Sequence, residues 1–185
     1  PVKSVGDLLA MVAARPGAYN SASSNSASEL AMLQLLGGRK VVNARYKGDM
    51  QAMTDLLGGQ VQMMFTTGTL APAFVRDGRI RALVTLQPQR SALLPDVPSG
   101  GELGLGKLTI TPWAGFFGPP GLPAGITEKL SAALQQTLKD PAVHERLTQQ
   151  GFEGYGMSPA KFAEFFRAQH DAFVSTVREH GVSFE

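Results

Sequence analysis

Apolar residues recur at three-and-four spacing from the first turn of the chain. Val5, Leu8, Leu9 and Val12 fall on one side of a helix predicted over 4–14, with Ser4 as N-cap, Asp7 completing a shortened capping box, and Arg15-Pro16-Gly17 as the stop. A short strand is predicted over 18–21. The polar run 21–28 then leads into an apolar helix over 30–36, which Gly37-Gly38 closes. Next come a strand over 40–46, a Lys47-Gly48 turn, a helix over 49–57 with Met50, Met53, Leu56 and Leu57 inward, and Gly58-Gly59. Residues 61–65 read as a buried strand, 67–76 as a helix despite Pro72, and 81–85 as another strand. Helix and strand alternate four times with short glycine-rich links. That order predicts an α/β fold, a mainly parallel sheet flanked by helices.

The pattern changes at Gln87. Residues 87–106 are rich in Pro, Ser and Gly and read as a connecting or functional loop, and 107–118 as an extended segment carrying the single Trp113. Beyond it the chain is almost wholly helical. Ile126, Leu130, Ala133, Leu134 and Leu138 make one stripe, Asp140-Pro141 restarts a helix to about residue 150, and 151–156 is a candidate short strand. Ser158-Pro159 repeats the cap-and-proline signal before a last helix with Phe162, Phe165, Phe166, Phe173 and Val177 on one face. These helices have hardly any sheet to lie on. An aromatic stripe of this size needs cover, so it packs on the first half or belongs against chain that is not present here.

Composition narrows the classes. The 185 residues, 43% hydrophobic and 17% charged, suffice for one domain or two small lobes with a core, which excludes a disordered chain. A formal charge of +2 without a dense Lys/Arg stripe gives no nucleic-acid footprint and leaves anionic small molecules open. The absence of cysteine excludes a disulfide scaffold, a thiolate metal site and a cysteine nucleophile. No apolar run approaches the roughly 18 residues of a membrane span. The chain starts at Pro1 without a basic n-region or apolar h-region, so any targeting signal is expected outside it, and the chain is expected to be a fragment.

The most chemical stretch is the Ser/Asn run. Set between a strand and a helix start, the hydroxyls and N–H groups of Ser21, Ser23, Ser24, Asn25 and Ser26 would converge where the helix dipole is positive, which suits a carboxylate or phosphate. The plain alternative is a solvated loop with one serine as cap. A second loop of the same character, at Thr66 and Thr67, follows another strand, and two such loops at strand carboxyl ends point to one crevice. Tyr46 and Lys47 either reach an anionic ligand or pack and solvate at the sheet edge. His144, His170 and His180 lack metal-ligand spacing, no phosphate-binding lysine follows the glycine pairs, and no nucleophile, base and oxyanion set can be assembled. The reading therefore calls for no cofactor, no metal and no enzyme activity.

Tyr46-Lys47-Gly48, Thr54-Asp55-Leu56-Leu57-Gly58-Gly59-Gln60-Val61, Met64-Phe65, Gly78-Arg79-Ile80-Arg81-Ala82-Leu83, Arg90-Ser91 and Leu94-Pro95-Asp96-Val97-Pro98 stand in a telling order. With Trp113-Ala114-Gly115-Phe116-Phe117-Gly118-Pro119, Asp140-Pro141-Ala142-Val143 and Ser158-Pro159-Ala160-Lys161-Phe162, the sequence resembles the Bug family, the receptors of tripartite tricarboxylate transporters. The resemblance covers essentially the whole chain. It implies a type II periplasmic binding protein, with two α/β lobes joined by crossover strands and closing on a small carboxylate. It further implies that residues 1–108 are the ligand-binding second lobe, and that 109–185 are the return crossover and helices that complete a first lobe absent from the chain. Two departures stand out. Glu29 occupies a position where the family usually has His, and Thr66 one where amino-acid-binding relatives often carry Asp; the second favours an unaminated carboxylate.

The function implied is an extracytoplasmic, periplasmic receptor for a small organic anion, delivered to membrane transporter subunits. The competing class is the effector-binding domain of a transcription regulator of the same fold, which a DNA-binding helix pair in the gene would reveal. The uncovered phenylalanines predict that the chain self-associates as a dimer.

Overall fold

The computed structural model describes residues 2–87, 89–105, 108, 110, 113–152 and 154–183. Helix α1 (Val5–Ala14) begins where its capping box sets it. The Ser4 hydroxyl accepts from the Asp7 N–H, the Asp7 carboxylate accepts from the Ser4 N–H, and Val5, Leu8 and Val12 are buried. Strands and helices then alternate as β1 (Asn20–Ser23), α2 (Ser26–Leu36), β2 (Val42–Arg45), α3 (Asp49–Leu57), β3 (Met63–Met64) and α4 (Ala71–Arg76). The three strands are parallel in the order β2-β1-β3, and Ser21 pairs with Asn43 on one side and Met63 on the other. The fold is α/β, a parallel sheet flanked by helices.

Alternation along β1 divides the core. Leu8, Val12, Tyr19, Met32, Leu36 and Met63 form one buried cluster, which joins α1 and α2 to the sheet. Ala22, Ala52 and Val61, with Tyr46, Leu56 and Met64 packed against them, form the other under α3. Ala22 and Ala52 are small, and the helix can therefore approach the central strand closely. At the end of α2, Gly37 takes φ 54° and returns its N–H to the Leu33 carbonyl, a left-handed cap that costs a side-chain-bearing residue more.

The strands differ in place from the sequence expectation. β1 lies two residues further on than 18–21, and β2 and β3 are shorter than the segments 40–46 and 61–65. Residues 81–85 add no strand to the sheet. Instead Thr85 makes a single parallel bridge to Ser99, its N–H donating to the Pro98 carbonyl at 3.0 Å while the Gly100 N–H donates back at 2.7 Å. The Pro-rich segment is thus folded onto the strand candidate. Glu102 fastens it, accepting from Arg90 Nε at 2.9 Å and from the Ser99 N–H at 2.8 Å, with Val97 and Ser99 buried.

Helices α5 (Ala124–Thr137), α6 (Pro141–Gln149) and α7 (Pro159–His180) complete the chain, with Asp140 and Ser158 capping α6 and α7 as their spacing predicts. Of the extended segment expected over 107–118, Lys107, Thr109, Thr111 and Pro112 lie outside the described residues, as does Glu153 of the strand expected over 151–156. The described residues of 151–156 carry no strand. The C-terminal part of α7 docks on α2, where Gln34 Nε2 donates to Thr176 Oγ1 at 2.9 Å and Gln34 Oε1 accepts from the Ile110 N–H at 3.4 Å. Its N-terminal part carries an aromatic cluster. Trp113 lies edge-on to Phe162, Phe165 and Phe166 with centroids 5.5–5.9 Å apart, and Phe117 lies 5.4 Å from Phe162. Gly115 permits this, because a Cβ there would stand 2.5 Å from the Phe162 ring.

Leu30 is fully buried on α2. Leu30→Ala is expected to destabilise the chain by about 2–5 kcal/mol, read as a lower urea midpoint at unchanged slope. An unmoved midpoint would show that this layer is not the core.

Candidate functional site

Parallel pairing brings the carboxyl ends of the strands to one edge of the sheet. The chain leaves β1 at Ser23, β2 at Arg45 and β3 at Met64, with Ser23 in register with Arg45 and Ala22 with Met64. The two loops expected on a common edge, one after β1 and one after β3, are both there.

Helix α2 starts at Ser26, four residues before its apolar run, because Asn25 caps it. The Asn25 side chain accepts from the Ser28 N–H at 2.9 Å and the Ser28 hydroxyl donates to the Asn25 carbonyl at 2.9 Å. Capping uses the Ser28 N–H, and those of Ser26 and Ala27 remain at the positive end of the helix. Beside them lies a concavity of about 170 Å³ lined by Ser23, Ser24, Asn25, Ser26, Glu29, Arg45 and Tyr46. It joins five of the nine residues singled out in the sequence.

The other four lie elsewhere. Ser21 is inside the sheet, 1% exposed, with its hydroxyl donating to Asn43 Oδ1 at 3.1 Å. Lys47 is exposed and does not line the concavity. Thr66 and Thr67 turn toward Asp49, the first residue of α3. The Thr66 hydroxyl and the Thr67 N–H donate to Asp49 Oδ2 at 2.9 and 3.0 Å, and the Ser24 hydroxyl donates to Oδ1. Tyr46 contributes its ring but not its hydroxyl, which donates to Asp55 Oδ2 at 2.7 Å. That bond, then burial and the Asp55 charge, raise the Tyr46 pKa and keep the phenol neutral.

Two lining residues carry opposite charge. Glu29, buried in the first turn of α2, accepts from Arg45 Nε and Nη2 at 2.9 Å each, and Nη2 also donates to the Ser183 carbonyl at 2.8 Å. The fork fixes the guanidinium and cancels the charge of a carboxylate that would otherwise repel an anion at the helix end. Each residue is visible in the sequence, but only the register Ser23↔Arg45 places them face to face. Asp49 has the opposite balance of forces: burial pushes its pKa up, but the donors from Ser24, Thr67 and Thr66 outweigh it and hold the carboxyl below its ordinary 3.8. A wider depression, about 740 Å³, runs along α7 beside Asp171, Val174, Ser175, Arg178 and Glu179. Its lining belongs to one helix, which makes it a helix face without opposing walls. Among the described residues no three His, Asp or Glu side chains gather as a metal site, and no helix is long and apolar enough to cross a membrane.

The concavity lies at the carboxyl ends of parallel strands, beside serines and a helix N-terminus, the place where open α/β sheets commonly take ligands. Residues 1–182 match the family described as Tripartite tricarboxylate transporter family receptor, and the chain belongs to that family. It is 32% identical over 186 residues to the UPF0065 protein in the TAR-I ttuE-ttuC' intergenic region of Agrobacterium vitis, covering 97% of this chain and 54% of that protein. Among solved structures, it is similar to the periplasmic binding protein BugD, with a TM-score of 0.73 at 27% identity over 99% of this chain and 63% of that one. It is also similar to MatC from Rhodopseudomonas palustris with bound malate, with a TM-score of 0.66 at 28% identity over 94% and 63% of the two chains. The chain spans about half the length of the curated relatives it matches.

The lowered Asp49 pKa has a definite signature. Its contribution to stability is full above the unfolded value of 3.8 and is lost as pH falls through the folded value. Thermal melts should therefore show Asp49→Asn below wild type by a constant gap above about pH 5, closing in acid. A gap that persists unchanged into strong acid would refute the assignment.

Proposed function

We propose that the chain forms the ligand-binding wall of a periplasmic solute receptor, which takes one end of a small organic carboxylate and delivers it to the membrane subunits of a tripartite tricarboxylate-type transporter. The observation that carries this reading is the concavity at the start of α2, lined by Ser23, Ser24, Asn25 and Ser26 at the positive end of the helix, beside a guanidinium fixed by the Glu29 carboxylate. Such a wall binds a carboxylate by donated hydrogen bonds and a helix dipole without a free cation. Membership of the receptor family and the bound malate of the similar MatC support it. The proteins of the family and fold bind solutes rather than transform them, and the reading assigns no reaction to the chain.

In this proposal residues 1–108 are one lobe, and 109–185 are the return crossover and helices of the other. The helices fit that role, because α5 and α6 bury no residue among those described, and Phe116 and Phe117 are 81% and 65% exposed. Binding by a single wall leaves part of the ligand hydrated and forgoes closure, so affinity is expected to be weaker than in a two-lobed receptor.

Titration of the chain with malate in a calorimeter tests the site. Saturable binding is expected, weakened roughly fivefold by Ser26→Ala, the loss of about one hydrogen bond. A folded chain that binds neither malate nor any other small carboxylate would overturn the reading.

The aromatic face yields a separate expectation. Burying one such ring is worth roughly 1.5–3 kcal/mol, enough for several together to pair two copies. Sedimentation at micromolar concentration should show a dimer that Phe117→Ser shifts toward monomer; a monomeric wild-type chain would remove the claim.

A further inference from the structure

The sequence reading gave Ser24, Thr66 and Thr67 to a ligand, but their donors are turned on the protein's own Asp49. The Ser24 hydroxyl comes from the end of β1, the Thr66 hydroxyl and Thr67 N–H from the end of β3, and the carboxylate from the first residue of α3. Three donors from two loops on one carboxylate make an anion cradle, and nothing but Asp49 fills it. Nor is the carboxylate needed as a local cap. The N-cap of α3 is Gly48, which has no side chain, and the contacts of Asp49 run 17, 18 and 25 positions along the chain rather than back into its own helix.

We propose that Ser24, Thr66 and Thr67 form a second carboxylate-binding site beside the concavity, which the chain keeps closed by occupying it with the side chain of Asp49. Three charge-assisted donors would hold an external carboxylate as they hold the internal one. Asp49 thus has two effects: it ties the β1 and β3 loops together, and it denies the cradle to any other anion. Ser24 lines the concavity as well as the cradle, so the two lie side by side. If, as the receptor reading above has it, the concavity takes a carboxylate, Asp49 positions the rim and disfavours a second ligand carboxylate at this wall.

Rescue by a small carboxylate tests the cradle without reference to any transported solute. Asp49→Ala is expected to melt at a lower temperature than wild type, and sodium acetate, against sodium chloride at equal ionic strength, is expected to restore more than half of the loss along a saturating curve. Asp49→Ala combined with Thr66→Val should respond to acetate clearly less, and wild type should not respond in this way. Equal effects of acetate on all three proteins, or none on Asp49→Ala, would overturn the proposal. A second measurement holds even if Asp49→Ala fails to fold. In otherwise wild-type protein, Ser24→Ala and Thr66→Val should each move the Asp49 carboxyl resonance titration up toward its ordinary range, and an unmoved titration in both would overturn the cradle. Failure of malate to bind wild type, with acetate rescue intact, would count against the receptor reading and not against the cradle.

Discussion

The structure depends on a polar contact in the middle of its sheet. The central strand β1 reads Asn-Ser-Ala-Ser, a sequence without one large apolar side chain, and it holds its place with Ser21 and Ser23 almost wholly buried. Asn43 of β2 makes this tolerable. It accepts from the Ser21 hydroxyl through Oδ1 at 3.1 Å and donates to Ser23 Oγ through Nδ2 at 2.8 Å, joining the i and i+2 hydroxyls of one strand face from the neighbouring strand. A buried hydroxyl without a partner costs about 1–3 kcal/mol, so any other register between β1 and β2 would carry that cost twice. One residue of slip would also exchange the serine and alanine faces and place Ala22 away from Ala52. The register thus aligned is the one that puts Ser23 opposite Arg45, and from that pairing the geometry of the crevice follows.

At the carboxyl edge the same economy is applied to charge. Two carboxylates, Glu29 and Asp49, stand at the first turns of α2 and α3, where helix dipoles favour them. Each is held by its own means, Glu29 by the Arg45 fork and Asp49 by hydroxyl and amide donors. On its own, Glu29 at the head of α2 would repel a carboxylate at that end of the helix. Its bidentate partner changes that expectation, since the pair presents an anion with a dipole rather than a net negative charge. Fixing Arg45 in this way also orders an arginine that would otherwise sample many rotamers at the rim of the crevice.

Elements whose signals are local were legible from sequence alone. The Ser4/Asp7 box and the Asp140-Pro141 and Ser158-Pro159 starts depend on contacts within four residues, and the structure has all of them; the helix Asp49–Leu57 stands where its apolar pattern places it, but Met50, read as inward, is 59% exposed. The central strand was misplaced by two residues because Ala18-Tyr19 has more strand character than Asn20–Ser23; only Asn43, twenty positions away, rewards the serines for being inside. The polar run read as a loop from residue 21 is therefore half strand and half helix start. Thr66 and Thr67 were correctly assigned to the sheet edge, but their partner Asp49 sits on an element whose own pattern gives no hint of it. The Glu29–Arg45 pair was hidden for the same reason, since two charged residues 16 apart carry no sign of a parallel register.

The last helix shows why the second half resisted a single answer. The sequence poses two alternatives for its aromatic stripe, cover from the first half or cover from chain outside this one, and the two ends of α7 stand differently toward the first half. Its C-terminal turns reach α2, where Thr176 is buried against Gln34 and the following segment returns to Arg45 through the Ser183 carbonyl. Its N-terminal turns carry the ring cluster with Trp113 and Phe117, in edge-on contacts that satisfy aromatic rings without hiding them, and Phe166 and Phe117 keep much of their surface in water. A 22-residue helix spans about 33 Å, about twice the length of the 11-residue α2 on which it docks. Helix α2 can support one end of α7 only, and the exposed rings at the other end are a consequence of that mismatch in length.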